Sequence, residues 1–594
     1  MPGAIYSLRY RAVQFAQEDQ AVIIAQSRGT MSKGWKLFLL GWVLIFAGSF
    51  LAHRIQTSGG IRVEDVRFTG TNGVAMSALL YIPPGATRDH PAPGILAVHG
   101  YINSRETQDG FAIALARAGY VVLALDQTGH GYSGGIVGAN GFGGPDGLRY
   151  LRGLDVVDKN NIGLEGHSMG GWAVLKAAEA MPDAYKAMVL EGSGTGVLGT
   201  RAGTPDFPRN VAVVFSRYDE FARLMWGVPH AWNVGDSEKL KALFGTTGTI
   251  APGRLQGDIA AGTARQLYTP VTTHPGDHIS REAIGDAVEW FGKTLNGGAP
   301  GRGDSLWVWK EIGTLAALVG FVLLLLGAFA LYLRLPGFAW LALPQDPVRE
   351  RRDARWWIAI MTAALIPVAT FYPFMGLGQM AMPPSRLFPQ SITNQVLVWA
   401  ALNAAITLIL GRMLRGPKPR VNPRNRGALA IAMLTVGTGY LSLLLADFLY
   451  KTDFRFWVVA LKLLSPDQFR WFLFYLIPFT ACFAVMSHAV HALAIRGDSA
   501  VRQYGAALAA LAGGFLLFLI AQYAPLFLGG ALLVPEQALN AIISIQFLPL
   551  MAIIALILVF TARRTASPWP GAYICGLFVT WYIVAGTAVQ FAGS

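Results

Sequence analysis

The sequence predicts an α/β domain, a mostly parallel sheet with helices on both faces, set between an N-terminal transmembrane anchor and an all-α polytopic membrane domain of about eight helices. Three observations carry this reading. Short continuous apolar runs alternate with helical stretches between residues 60 and 297, the pattern of a sheet covered on both faces. After about residue 300 the composition turns largely apolar. The 594-residue chain is 53% hydrophobic and only 14% charged, whereas soluble globular chains carry about a quarter charged residues.

Residues 1–30 are polar. Lys33 and Lys36, followed by the apolar run Leu37 to Ala52, have the layout of a signal anchor or signal peptide. Met31 is an alternative start. An uncleaved anchor is the favoured reading, with cleavage near Ala52 as its rival. Residues 61–82 alternate as two strands. Buried strands follow at Pro93 to Val98 and Tyr120 to Leu125, with a helix from Glu106 to Ala118 between them. A helix near Gly147 precedes a strand from Asn161 to Glu165 and a helix from Trp172 to Glu179. Strands at Lys186 to Glu191, Val211 to Phe215 and Arg265 to Tyr268 come next. A helix from Arg281 to Leu295 closes the domain.

Between the strand at Glu165 and the helix at Trp172, the residues Gly166, His167, Ser168, Met169 and Gly170 fit G-x-S-x-G. A strand that turns sharply into a helix holds its serine on a strained turn, and the glycines relieve collisions with the neighbouring elements. In this context Ser168 reads as a nucleophile; the bland alternative is a Gly-rich turn with a passive serine.

Residues from about 60 to 297 resemble the α/β-hydrolase superfamily. The resemblance rests on His99 and Gly100, on the run Asp126 to Ser133, on Gly166 to Gly170, and on an acid and a histidine in that order. It extends about equally to esterases, dienelactone-hydrolase-like enzymes and oligopeptidases. It implies a serine hydrolase whose chain order is Ser, then Asp or Glu, then His. Of the histidines after Ser168, His488 and His491 lie in a membrane segment and His230 in an insertion. His278, just before the closing helix, is the expected base, with His274 as the alternative. Asp219, after the strand ending at Phe215, is the expected acid, with Glu191 as the alternative. The backbone N–H groups of Met169 and Tyr101 are the expected oxyanion hole, although the HGGG form of some lipases is absent. His99, His130, His167 and Asp126 read as bracing residues.

The stretch between Asp219 and His278 is longer than a simple connection needs. It carries Phe221, Met225, Trp226 and Trp232, which read either as a lid or acyl-chain wall or as a packed extra layer.

The organisation expected is a cytoplasmic segment over 1–34, an anchor over 35–54, a catalytic domain over 55–300 and a multi-pass membrane domain over 301–594. Spans are expected near 312–333, 356–378, 391–413, 428–449, 470–495, 504–529, 538–561 and 570–592, each long enough for a bilayer core. The formal net charge is +13. Its basic residues are spread over alternate short loops, including Arg349 to Arg355, Arg412 to Arg426, Arg496 to Arg502, and Arg563 with Arg564. That spread argues against a nucleic-acid partner. It places these loops inside and the catalytic domain on the extracytoplasmic side of the plasma membrane. Phe454 to Leu464 reads as an amphipathic helix on the outer surface. The two cysteines, Cys482 and Cys575, both lie in apolar segments, so neither a disulfide framework nor a Cys-based metal site is expected in the soluble domain.

The function expected is a membrane-anchored serine hydrolase cleaving an ester, without cofactor or metal. Its partners are the lipid bilayer and a small-molecule or lipid ester; an apolar acyl chain would gain from the insertion. The rivals are a serine peptidase of the same fold, and a transporter-like membrane protein whose outer domain is a binding module.

Overall fold

The computed structural model describes residues 33–299, 301–343, 353–413, 426–494 and 498–591. Residues 1–32, and with them the Met31 reading, lie outside this set. So do Arg349, Arg351, Arg352, Lys418, Arg420, Arg424 and Arg496.

An eight-stranded sheet forms the α/β domain. Its strands are β1 (Arg62–Thr69), β2 (Ala75–Ile82), β3 (Ala92–Val98), β4 (Val121–Leu125), β5 (Val157–His167), β6 (Ala187–Glu191), β7 (Val211–Val214) and β8 (Arg265–Tyr268). They lie in the order β1-β2-β4-β3-β5-β6-β7-β8. β2 is antiparallel to β1 and β4, and every pair from β4 to β8 is parallel. The strands from β2 to β8 are largely buried on both sides because both faces are covered. Leu96, Leu123 and Val213 pack into one core with Trp172 and Leu175, and Ile95, Val122 and Ala212 into another with Trp290 and Phe291. The covering helices are α2 (Asp109–Arg117), α3 (Gly144–Gly153), α4 (Met169–Ala180) and α7 (Arg281–Thr294), with the short α5 (Ala222–Trp226) and α6 (Glu238–Phe244) in the insertion.

α1, Lys33–Gly60, precedes the sheet. After it the chain forms α8 (Val308–Tyr332), α9 (Ala354–Ala369), α10 (Phe371–Ala381), α11 (Ser391–Met413), α12 (Ala428–Tyr450), α13 (Pro466–Ala494), α14 (Ala500–Leu511), α15 (Gly513–Gly529), α16 (Ala538–Thr565) and α17 (Trp569–Gly586). Among the described residues seven helices are long and apolar enough to cross a membrane, and nine spans result if the bent pairs α9–α10 and α14–α15 each count as one. The bend of 52° between α9 and α10 follows Pro367, which removes a helical donor.

Phe454 to Leu464 is not a helix. It forms a two-stranded hairpin, β9 (Phe454–Phe456) against β10 (Val459–Leu461). Trp457 turns the hairpin at φ 52, a left-handed conformation that a continuing helix excludes. Arg455 and Lys462, which the helix reading sends to solvent, are both buried.

α1 and α8 meet through glycines spaced seven apart: Gly41 and Gly48 on one, Gly313, Gly320 and Gly327 on the other. A Cβ on Gly41 would lie 2.8 Å from the Gly320 carbonyl oxygen, and one on Gly320 would lie 2.9 Å from the Ile45 nitrogen. Small residues let two backbones approach closely where no hydrophobic force pulls apolar helices together. Gln56 Nε2 also donates to the Tyr450 carbonyl at 2.7 Å, fastening the end of α1 to α12. This contact gives α1 a structural role in addition to that of a tether. Gly320→Val should overpack the contact at a cost of about 1–3 kcal/mol. Gly437→Val, at a glycine with nothing within 4 Å of its Cβ position, should not. Thermal unfolding of the two variants in detergent checks this: only the first should lose midpoint temperature.

Candidate active site

Ser168 sits between β5 and α4 with φ 54 and ψ −120, a conformation costly for a residue with a side chain. Several contacts fix it there. The Ser168 N–H donates to the Glu191 carbonyl at 2.8 Å, tying the elbow to the end of β6. Any side chain on Gly170 would strike the His99 carbonyl oxygen at 2.6 Å, and one on Gly166 the Gly171 nitrogen at 2.6 Å. The turn therefore needs glycine at both places. Ser168 itself remains partly exposed.

Met169 is the first residue of α4, and N–H groups in a first helical turn have no intrahelical acceptor. On the other side of Ser168, a Cβ on Gly100 would lie 3.1 Å from Ser168 Cβ. The following residues, Tyr101 and Ile102, thus run past the nucleophile. Ile102 takes the left-handed φ of 55. The Tyr101 ring stands edge-on to His130, and its hydroxyl accepts a 2.7 Å bond from Gln590 Nε2, just beyond α17.

The acid and base loops follow β7 and β8. Asp219 Oδ1 accepts from the Phe221 N–H at 2.7 Å, which fixes the carboxylate. Its Oδ2 lies 2.8 Å from Nδ1 of His274. His278 takes a different place. Its Nε2 lies 3.1 Å from Nδ1 of His167, its Nδ1 is buried without a hydrogen-bond partner, and its ring stands edge-on to Phe111. The geometry thus brings Asp219 to His274, the alternative base, and not to His278. The segment Pro275–Ile279 is a 3₁₀ turn. Successive residues there advance about 120°, so positions four apart face different ways and one carboxylate reaches only one of them. Glu191, the alternative acid, is buried with neither carboxylate oxygen hydrogen-bonded.

Around the pair, His167 lies with ring centroids 4.6 Å from His274 and 4.1 Å from His278. Phe221 closes edge-on over His274 at 4.7 Å. Met225 and Trp226 are packed inside the core on the β6–β7 side, each 1% exposed, and do not form a wall open to substrate. Trp232 stacks on His230 and lies against Gly530 beyond α15. Met225 and Trp226 are thus packed away, Trp232 is partly exposed, and Phe221 alone of these four lies against the imidazole.

Four residues near the site carry no signal in sequence. Glu220 Oε2 accepts from the His274 N–H at 2.8 Å, and its Oε1 accepts from the Tyr523 hydroxyl at 3.0 Å. Trp457 Nε1 donates to the Pro275 carbonyl at 2.6 Å. Asp277 accepts from the Ser216 hydroxyl. Tyr523 and Trp457, like Gln590, come from the largely helical second half of the chain, so only the folded structure brings them to these loops.

Burial pushes the His274 imidazole down to about 4. Burial, and then the neighbouring Asp277, push the Asp219 carboxyl up. Burial, and then Asp219, raise Glu220 to about 8. A lowered imidazole stays unprotonated, and so able to accept a proton, well below the ordinary value of about 6.5. If His274 is the base, the acid limb of kcat/KM should fall near pH 4, and a pH–rate profile placing it near 6.5 would count against His274. His274→Ala should lower hydrolysis by about 10⁴-fold or more, whereas His278→Ala should retain activity within about tenfold. Initial rates on a chromogenic ester decide which histidine serves.

The family model described as serine aminopeptidase, S33, matches residues 89–242. Monoacylglycerol lipase of Mycolicibacterium smegmatis is 31% identical over 131 residues, 21% of this chain and 45% of that protein. The chain thus spans less than half the length of this curated relative. Among solved structures, an esterase of Pyrococcus furiosus is 16% identical over 40% of this chain and 92% of its own, with a TM-score of 0.30. Epoxide hydrolase A of Mycobacterium thermoresistibile is 21% identical over 23% of this chain and 40% of its own, with a TM-score of 0.19.

Proposed function

Residues from about 60 to 297 belong to the α/β-hydrolase superfamily, and from that premise we propose that this protein is a membrane-embedded serine hydrolase cleaving a carboxylic ester. Ser168 is the nucleophile, His274 the base and Asp219 the residue that orients His274. The observation that carries the reading is the 2.8 Å contact between Asp219 and Nδ1 of His274, set beside a serine in the strained elbow conformation. With Nδ1 engaged, Nε2 is the nitrogen left to take the serine proton. Ser168 Oγ then adds to the ester carbonyl carbon, and His274 passes the proton to the leaving alcohol. Water releases the acyl group by the same relay. The N–H groups of Met169 and Tyr101 stabilise the developing oxyanion.

The membrane assignment rests on charge placement. Lys33, Lys36, Arg334, Arg355, Arg412, Arg426, Arg502, Arg563 and Arg564 all fall at the helix ends away from the sheet domain. By the positive-inside rule those ends are cytoplasmic and the hydrolase domain is outside. The peptidase reading keeps support from the description of the matched family, and a comparison of ester and peptide substrates separates the two.

Reaction with a fluorophosphonate should label the wild type and not Ser168→Ala. In the same preparation Asp219→Asn should keep the fold yet lose about 10⁴-fold in rate by disfavouring the active tautomer. A cysteine in place of Thr247, an exposed residue of the insertion, should react with an impermeant thiol reagent in intact cells, and one in place of Arg502 should not. The opposite pattern would invert the topology.

A further inference from the structure

A cavity of about 730 Å³ lies among α9, α11, α13, α14, α16 and α17, within the size range of ligand pockets. Along α11 its wall runs from Ile392 to Gly411, about 28 Å of helix rise and close to the thickness of a bilayer core. A space that runs the length of a membrane-spanning helix can take an extended chain.

The wall has the matching chemistry. Most of it is aliphatic or aromatic, as at Ile366, Val396, Phe483 and Leu550. Several of its polar groups are engaged with each other or with backbone. Asn403 Nδ2 donates to Thr370 Oγ1 at 3.1 Å and to the Trp399 carbonyl at 2.9 Å. Thr407 donates to the Asn403 carbonyl at 2.8 Å, and Tyr582 to Gln546 at 2.5 Å. The charged lining residues are Asp353 and Arg355, at the end away from the hydrolase domain. A wall of this kind offers an ion or a polar solute little to bind.

At the opposite end the wall includes Ile102 and Thr587. Ile102 is the residue after Tyr101, on the loop that runs past Ser168. Tyr101 is itself bonded to Gln590, three residues beyond Thr587. The cavity therefore ends against the loop assigned to the oxyanion hole.

We propose that this intramembrane cavity is the acyl-chain site of the hydrolase, and that the substrate is a long-chain acyl ester of a membrane lipid. The ester carbonyl sits at Ser168 while the hydrocarbon chain passes Ile102 and lies between the helices. The proposal rests on the serine-hydrolase reading and assigns to the membrane domain the substrate surface that Met225 and Trp226, packed in the core, do not supply.

The test uses the full chain in detergent and two fluorophosphonates, one with an ethyl and one with a hexadecyl group. On the wild type the hexadecyl probe should react at least about 100-fold faster, since each buried methylene contributes about three- to fourfold. Ala400→Trp and Ala404→Phe, which fill the cavity from α11, should remove most of that advantage and leave the ethyl rate within about twofold. Should both substitutions also abolish the ethyl reaction, Cys482 decides the matter. It lines the cavity, whereas Cys575 is buried. With Cys575→Ala, a small thiol reagent should modify Cys482 at least about tenfold more slowly after hexadecyl than after ethyl phosphonylation, because the buried chain excludes the reagent. Equal probe rates on the wild type, an advantage that survives both substitutions, or equal Cys482 reactivity would overturn the chain site and leave the nucleophile standing. Reaction of neither probe with the wild type, or labelling that persists in Ser168→Ala, would overturn the serine-hydrolase reading, and the chain site with it.

Discussion

The guanidinium of Arg455 is buried between Asp453 on its own hairpin and Glu106 of the catalytic domain. Glu106 in turn holds Arg105 at 3.0 Å, and Arg105 grips Asp65 on β1. A second buried pair, Lys310 with Asp109, joins the start of α8 to α2, and Tyr81 donates to the same carboxylate at 2.5 Å. Burial alone would push the Glu106 carboxyl up, but Arg105, then Arg455 and Lys462, hold it well below its ordinary range. A buried charge costs several kcal/mol unless its partner is in place, so removing one member strands the other. These pairs accordingly permit few relative positions of sheet and helices. The loop after β8 depends on that restriction, because Trp457 of the Arg455 hairpin bonds to Pro275 beside His274.

The same packing concentrates acid groups behind the site. Asp219, Glu220, Asp277 and Glu191 are all buried. Two like charges in a low-dielectric site raise each other's proton affinity. Glu191, with no hydrogen bond to either oxygen, is pushed well up by burial and then by Asp277. Asp219 differs in having a backbone donor on one oxygen and an imidazole on the other. Hydrogen bonding, rather than proximity to β6 or β7, separates the acid that can orient a histidine from the acid that cannot.

The fold was legible because continuous apolar runs bounded by turns admit few alternatives to a covered parallel sheet. The elbow was legible from its pattern: Gly166 is dictated by Gly170 and Gly171 in the same turn, and Gly170 by the backbone of Val98 and His99 at the end of β3. The choice between His274 and His278 was not. Both follow the acid and both precede the closing helix, and only the turn at Pro275 separates their directions. Phe454 to Leu464 misled because eleven residues with apolar groups three and four apart also suit a hairpin, and nothing local announced the left-handed Trp457. The apolar insertion left a substrate wall and a packed layer both open because sequence reports that Trp226 is apolar, not which core takes it. The cavity could not be read at all, since its lining comes from Ile102 and from segments scattered between residues 353 and 587.

The glycine contact between α1 and α8 has a consequence in time. The two helices are partners in space, yet nearly 250 residues separate the end of one from the start of the other. At roughly 5–20 residues per second of synthesis, α1 is complete on the order of ten seconds to a minute before α8 emerges. During that interval its glycine face is without its partner. The α/β domain collapses meanwhile on the end of a single helix, without the hairpin and the loops that later press on its catalytic turns. The α/β domain is thus made first, and the bond from Gln590 to Tyr101 can form only after the helices between them have been synthesised.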